Sequence, residues 1–173
     1  MSEVEMDISV AFYALEKKRW ESKVIKAATM GDTYQHTGII LHRNGVSVEY
    51  STGYGVCRFV DSCALRKIQT PQEVIYLGKH LVNFERLQLF ADRFHSEDKR
   101  SFIWWWFIGR FFIPKMLPPS CGLITCQLLR LCGIEIKDIV RPQLLFKELT
   151  NAANNYSWKR QSWKDYASKY HGT

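Results

Sequence analysis

A cysteine and a histidine that lie far apart in the sequence supply the two residue types that nucleophilic thiol chemistry needs. Cys121 follows Pro118-Pro119-Ser120 and opens an apolar stretch that ends at Gly133. His36 opens the run His36-Thr37-Gly38-Ile39-Ile40-Leu41, whose composition favours a β-strand. A thiol attacks as the thiolate, which the N–H groups and dipole of a helix N-terminus stabilise. Histidine can take the thiol proton and return it to a leaving group, so this pair predicts a cysteine-dependent reaction.

Cys126, in the same apolar stretch as Cys121, is the rival nucleophile. It lies five residues further on, about 140° around a helix of 3.6 residues per turn, and away from the N–H groups of the first turn. Those N–H groups could receive a developing oxyanion beside Cys121, and Gly122 leaves room there for a substrate carbonyl. We therefore predict Cys121, rather than Cys126, as the nucleophile.

The alternation and helical periodicity of apolar residues predict the elements that must position this pair. Strand-like runs lie at residues 8–15, 36–41, 46–51, 56–60 and 74–77. Asn44-Gly45, between the second and third runs, is a strong β-hairpin signal. Helical periodicity covers residues 83–94 and 121–131, and Gly133 marks the end of the second helix. We predict an α+β fold in which an antiparallel sheet containing this hairpin packs against the cysteine-bearing helix.

The order of these features resembles the circularly permuted NlpC/P60 cysteine hydrolases. His36 and its hairpin are followed by Val48-Glu49-Tyr50-Ser51-Thr52, then by Gly55-Val56, and much later by a helix ending in Leu131-Cys132-Gly133-Ile134. The resemblance is closest to small members from tailed bacteriophages. It implies a papain-like fold with histidine before cysteine in sequence, and thiol-dependent hydrolysis or acyl transfer at an amide or ester bond. Cys121 would be the nucleophile and His36 the base.

The resemblance also points to Glu49 as a third catalytic residue, one that would hold His36 in the required tautomer. If Asn44-Gly45 is a two-residue turn, however, Ile40 lies opposite Glu49. Glu49 then sits four residues from His36 along the strand, roughly 13 Å at about 3.3 Å per residue. Ser51 is nearer to His36 by register, so Glu49 and Ser51 both remain candidates for this role.

Two functions from different classes are consistent with this pattern. The first is the enzyme just described, for example a phage-encoded cell-wall peptidase whose substrate is a peptide, a cell-wall fragment or a lipid-linked molecule. Many relatives carry a polar or aromatic residue before the cysteine and a serine after it, where this chain has Ser120 and Gly122. The second is therefore a non-catalytic viral structural or host-interaction protein that uses the same fold with a vestigial site.

Length and composition limit the architecture and the partners. With 173 residues the chain can bury its own core, and we predict a domain at residues 1–149 and a basic, aromatic C-terminal tail at residues 150–173. The apolar segment at 139–149 is interrupted at Pro142. A net charge of +7 favours anionic partners such as cell-wall polymer, but no recognised motif favours nucleic acid. The five cysteines lack metal-ligand spacing, so we predict neither a metal nor a cofactor.

The aromatic run FIWWWFIGRFFI, residues 102–113, is shorter than the roughly 20 residues of a bilayer span and contains Arg110, so no transmembrane segment is predicted. The consecutive residues Trp104, Trp105 and Trp106 point about 100° apart on a helix and cannot share one core. We expect this run, or the C-terminal tail, to contact a protein partner. The acidic start Met1–Glu5 does not have the character of a signal peptide. With the phage resemblance, this predicts synthesis in the cytoplasm of an infected bacterium and packaging in a virion.

Overall fold

The computed structural model describes residues 3–14, 32–51, 58–67, 69–93 and 120–170. Six strands occur in these ranges: β1 (Val4–Tyr13), β2 (His36–Arg43), β3 (Val46–Ser51), β4 (Arg58–Asp61), β5 (Glu73–Val82) and β6 (Lys159–Ser162). Five helices occur in the same ranges: α1 (Ser62–Arg66), α2 (Phe84–Asp92), α3 (Cys121–Leu131), α4 (Pro142–Ala153) and α5 (Trp163–Tyr170). The predictions made for Trp104, Trp105 and Trp106 concern residues outside these ranges.

The strands form one antiparallel sheet in the order β4-β3-β2-β1-β5-β6. The predicted α+β class with an antiparallel sheet is confirmed. Helix α3 packs against β2, as predicted for the cysteine-bearing helix. The chain thereby places the first turn of α3 and the strand that begins with His36 next to each other.

The predicted hairpin joins β2 and β3 through a two-residue turn. Asn44 and Gly45 have φ values of 50° and 79°, the left-handed conformation that both central residues of a type I′ turn require. The register that this turn fixes is the one predicted, because Ile40 pairs with Glu49. Side-chain alternation then puts His36 and Glu49 on the same face of the sheet.

Different helices cover the two faces of the sheet. On the first, which we call the α3 face, Ile39 belongs to a core that includes Leu128 of α3 and Leu145 of α4. On the second, the α5 face, Tyr13 packs in a smaller buried cluster with Tyr166 of α5. In the part of the chain that the structure describes, no helix is long and apolar enough to traverse a lipid bilayer.

The residues after position 149, which were predicted to form a tail, contribute a strand to the sheet and a helix that covers it. The predicted boundary at 149/150 falls inside α4. Strand β6 pairs with β5, with Arg160 opposite Ile75, and α5 follows it directly across the α5 face. The C-terminal segment therefore supplies one edge of the sheet as well as the helix above Tyr13.

Candidate functional site

The first turn of α3 holds Cys121 close to the start of β2. Ser120 caps the helix, since its side chain accepts a hydrogen bond from the Leu123 N–H at 3.2 Å. The Ser120 hydroxyl also donates to the Val140 carbonyl at 2.8 Å, which ties the helix start to the loop at 134–140. The backbone N–H of Thr37 faces the Cys121 thiol. The sulfur thus meets β2 one residue away from His36.

Gly122 is required by the packing of this first turn. A Cβ atom at Gly122 would lie 2.6 Å from the Val140 carbonyl oxygen and 2.8 Å from that of Ile139. From the sequence, the missing side chain was expected to leave room for a substrate carbonyl. In the direction of that Cβ, however, the space is filled by the backbone of the loop, so a larger residue would push the loop away from α3.

Burial keeps both groups of the candidate pair neutral at pH 7. It raises the pKa of the Cys121 thiol to about 11, against the smaller opposing effect of the N–H groups of Thr37, Gly122 and Cys121 itself. Burial also lowers the pKa of His36, which is 7% exposed, to about 4. Cysteine is then in its proton-donating form and histidine in its proton-accepting form, which suits general-base activation better than a preformed ion pair.

The His36 imidazole lies on the α5 face, beside Tyr13. The two residues are direct cross-strand partners, and their ring centroids are 5.4 Å apart with planes tilted by 38°. Helix α3, which carries Cys121, covers the opposite face. The structure therefore brings the thiol to the backbone next to His36 and holds the imidazole against Tyr13 on the other side of the strand.

Glu49 is fully buried on the α5 face, in a polar cluster with Tyr13 and Arg66 that was not predicted from the sequence. Its carboxylate accepts hydrogen bonds from the Tyr13 hydroxyl and from the Arg66 guanidinium. Arg66 also donates to the Tyr13 oxygen at 2.7 Å. We call Tyr13, Glu49 and Arg66 the buried clamp.

Gly38 leaves the space in which the buried clamp forms. A Cβ atom at Gly38 would lie 2.8 Å from the Glu49 Oε1 atom and 2.7 Å from the Tyr50 carbonyl oxygen. The Glu49 carboxylate therefore lies across β2 at the residue that is two positions after His36. The sequence held a signal for this approach in the glycine of His36-Thr37-Gly38, but no signal that Tyr13 and Arg66 would meet the carboxylate.

The other candidates differ from Cys121 in their surroundings. Cys126 is fully buried in the core on the α3 face, with its sulfur 3.9 Å from the Ile139 carbonyl oxygen. Ser51, the alternative third residue, ends β3 opposite Arg58, and its side chain is not among those described. Among the residues described here, no cluster of three or more histidine, cysteine or acidic side chains could hold a metal ion.

The low pKa of His36 predicts a pH-dependent stability. The unfolded chain binds this proton near pH 6.5 and the folded chain only near pH 4, so unfolding is favoured as the pH falls through this window. We expect a loss of up to about 3 kcal/mol in the free energy of unfolding between pH 7 and pH 4 from this residue. Urea unfolding of the wild type and of His36→Gln over this range measures the difference. If the free energy of unfolding depends on pH in the same way in both proteins, the pKa of His36 is not lowered in the folded chain.

Comparison with known proteins does not assign the chain to a family. No family model matches it, and neither the curated proteins nor the solved structures include a significant match.

Proposed function

We propose that the protein is a thiol-dependent hydrolase or acyl transferase with a permuted papain-like (NlpC/P60) fold, in which Cys121 is the nucleophile and His36 the base. One observation carries the proposal: the Cys121 thiol sits at the N-terminus of α3 against the backbone of Thr37, the residue after His36. The antiparallel sheet, with its cysteine helix packed on the histidine strand, is consistent with the order of elements that the resemblance implies.

The reaction follows from the neutral state of both groups. His36 accepts the thiol proton as the sulfur attacks a carbonyl carbon, and then donates that proton to the departing amine or alcohol. This leaves a thioester on Cys121, which water or an acceptor nucleophile cleaves. The N–H groups of Cys121 and Gly122, which face the sulfur, would stabilise the oxyanion of each tetrahedral intermediate. We assign the final approach of the thiol to the imidazole, which stays against Tyr13, to substrate binding.

The proposed substrate is an amide or ester in an anionic surrounding. The net charge of +7 favours a negatively charged polymer, and a cell-wall peptide fits the phage-type resemblance. On the same grounds the protein is proposed to be made in the cytoplasm of an infected bacterium and carried in the virion. Trp104, Trp105 and Trp106 remain the proposed contact for an apolar part of the substrate or for a protein partner.

A second candidate is a non-catalytic viral structural or host-interaction protein with the same fold. The observation in its favour is the division of the pair between two faces, with α3 on one and the His36 ring on the other. A carboxylate that is engaged by Tyr13 and Arg66 also serves a structural role without any chemistry.

Acetylation by p-nitrophenyl acetate distinguishes the two candidates. A catalytic Cys121 should be acetylated faster than Cys63, an exposed cysteine that serves as the internal reference for uncatalysed reactivity. If His36 does not act as a base, Cys121 should be acetylated more slowly than Cys63, because burial raises the pKa of the Cys121 thiol and keeps it protonated. Peptide mapping by mass spectrometry measures both sites in one sample, and Cys121→Ala identifies the signal. Acetylation confined to Cys63 would reject the enzyme and favour the second candidate.

A further inference from the structure

The His36 ring lies beside Tyr13, a tyrosine to which no role was assigned from the sequence. Tyr13 ends β1 directly opposite His36, and its ring lies 5.4 Å from the imidazole, centroid to centroid. The Tyr13 ring is fully buried, as is the carboxylate of Glu49 to which its hydroxyl donates. One face of the imidazole is therefore bounded by a side chain that is itself fixed at its far end.

The hydroxyl of Tyr13 is the point at which the clamp holds this ring. It donates to Glu49 and accepts from Arg66 Nη1 at 2.7 Å, so the oxygen has a charged partner on each side. Hydrogen bonds to charged groups are about twice as strong as neutral ones and fix the direction of the donor. Glu49 lies on the same face as His36 but four residues along the strand. From there its carboxylate accepts the hydrogen bond of the Tyr13 hydroxyl, so Glu49 can influence His36 through Tyr13.

Arg66 in turn is positioned by residues close to it in sequence and by the C-terminal helix. Its guanidinium donates to the Ser62 hydroxyl at 3.1 Å and to the Gln69 carbonyl at 3.2 Å, and its central carbon lies 4.5 Å from the Trp163 ring centroid of α5. The clamp therefore connects α1 and the C-terminal helix to the residue that borders His36.

We infer that Tyr13 is the positioning residue of His36 and that Glu49 acts through Tyr13, with Arg66 and Trp163 completing the support. This inference rests on the proposed function, since it names how the base of that reaction is oriented. It changes the expected role of Glu49, because the carboxylate that the resemblance assigns to the imidazole becomes the anchor of a phenol ring. No bond to substrate is made by Tyr13, Glu49 or Arg66.

Tyr13→Phe tests the inference, because it keeps the ring against His36 and removes only the hydroxyl. With p-nitrophenyl acetate, we expect kcat to fall about tenfold with KM nearly unchanged, as for loss of orientation without loss of binding. The histidine NMR titration should show the pKa of His36 moving up toward its ordinary value as the loosened ring admits water. Tyr76→Phe is the matched control, because it removes a hydroxyl that donates to Asp7 at 2.6 Å on the same sheet. Tyr76→Phe should change neither kcat nor the pKa of His36.

The two readouts separate a failure of this inference from a failure of the proposed function. If the wild type shows no turnover, the proposed function fails, and the His36 titration alone decides the role of Tyr13. If Tyr13→Phe leaves both kcat and the His36 titration as in the wild type, Tyr13 is only a core residue and the inference is overturned. An equal change in Tyr76→Phe would also overturn it, because the effect would then be a general one of losing a tyrosine hydroxyl from this sheet.

Discussion

Replacing His36 by glutamine is expected to reduce the rate of acetyl-enzyme formation at Cys121 by about 10²–10⁴-fold, the usual contribution of a general base. The effect should be large because burial raises the pKa of the thiol to about 11, so little thiolate exists at pH 7 without proton transfer to the imidazole. Glutamine preserves size and polarity at the start of β2 but cannot take up the proton. Stopped-flow release of p-nitrophenolate measures the rate.

His42→Gln is the matched control for this variant. His42 lies on the same strand and the same face, six residues from His36 or roughly 20 Å at about 3.3 Å per residue, and its Nδ1 atom is 2.6 Å from the Ser47 hydroxyl oxygen. Its replacement should leave the acetylation rate within about twofold of the wild type, because general-base catalysis requires hydrogen-bond reach of the proton. A His36→Gln protein that acetylates Cys121 as fast as His42→Gln does would remove His36 from the mechanism.

The parts of the fold that were predictable depend on short-range signals. Asn44-Gly45 favours left-handed backbone at both positions and thereby sets the register of β2 with β3 without reference to the rest of the chain. The helix at 121–131 shows the same independence, since its capping serine, its apolar spacing and Gly133 are contained within one segment. Both elements carry a candidate catalytic residue, which is why His36 and Cys121 could be proposed together from sequence.

The parts that were missed depend on long-range pairing or on weak local patterns. Strand β6 has the sequence Lys159-Arg160-Gln161-Ser162, which lacks apolar alternation because an edge strand half exposed to solvent does not need it. Pro142 was interpreted as an interruption, although proline is favoured in the first turn of a helix, where α4 begins.

The buried clamp could not be predicted, because its three residues come from β1, β3 and α1. The register of β1 against β2 places Tyr13 opposite His36, and the hairpin brings Glu49 to the same face. Arg66 reaches both only after α1 has packed beside β3. None of these distances is encoded in a local pattern, and the resemblance to known hydrolases indicated Glu49 as the residue that orients His36 directly, without Tyr13 or Arg66.

Breaking the Glu49–Arg66 pair on one side is expected to destabilise the protein by about 3–5 kcal/mol, because it leaves a charge buried without its partner. The side chains of Glu49 and Arg66 are 0% and 14% exposed, so neither can regain its hydration without local unfolding. Glu49→Leu and Arg66→Met should each lower the free energy of unfolding by this amount in urea titrations. Glu5→Gln, which disrupts the exposed pair with Lys79, should cost less than about 1 kcal/mol.

The double variant Glu49→Leu, Arg66→Met separates the charge from the packing. Replacing both members of a buried ion pair by apolar residues of similar volume is often neutral or stabilising, so most of the lost stability should return. The Tyr13 hydroxyl would then lack both of its charged partners, and Tyr13 would border the His36 ring without an anchor at its far end. A stable double variant with impaired acetylation of Cys121 would mean that the clamp is retained for orientation rather than for stability. If the free energy of unfolding of each single variant lies within about 1 kcal/mol of the wild-type value, water reaches the Glu49–Arg66 pair and the remaining charge is hydrated.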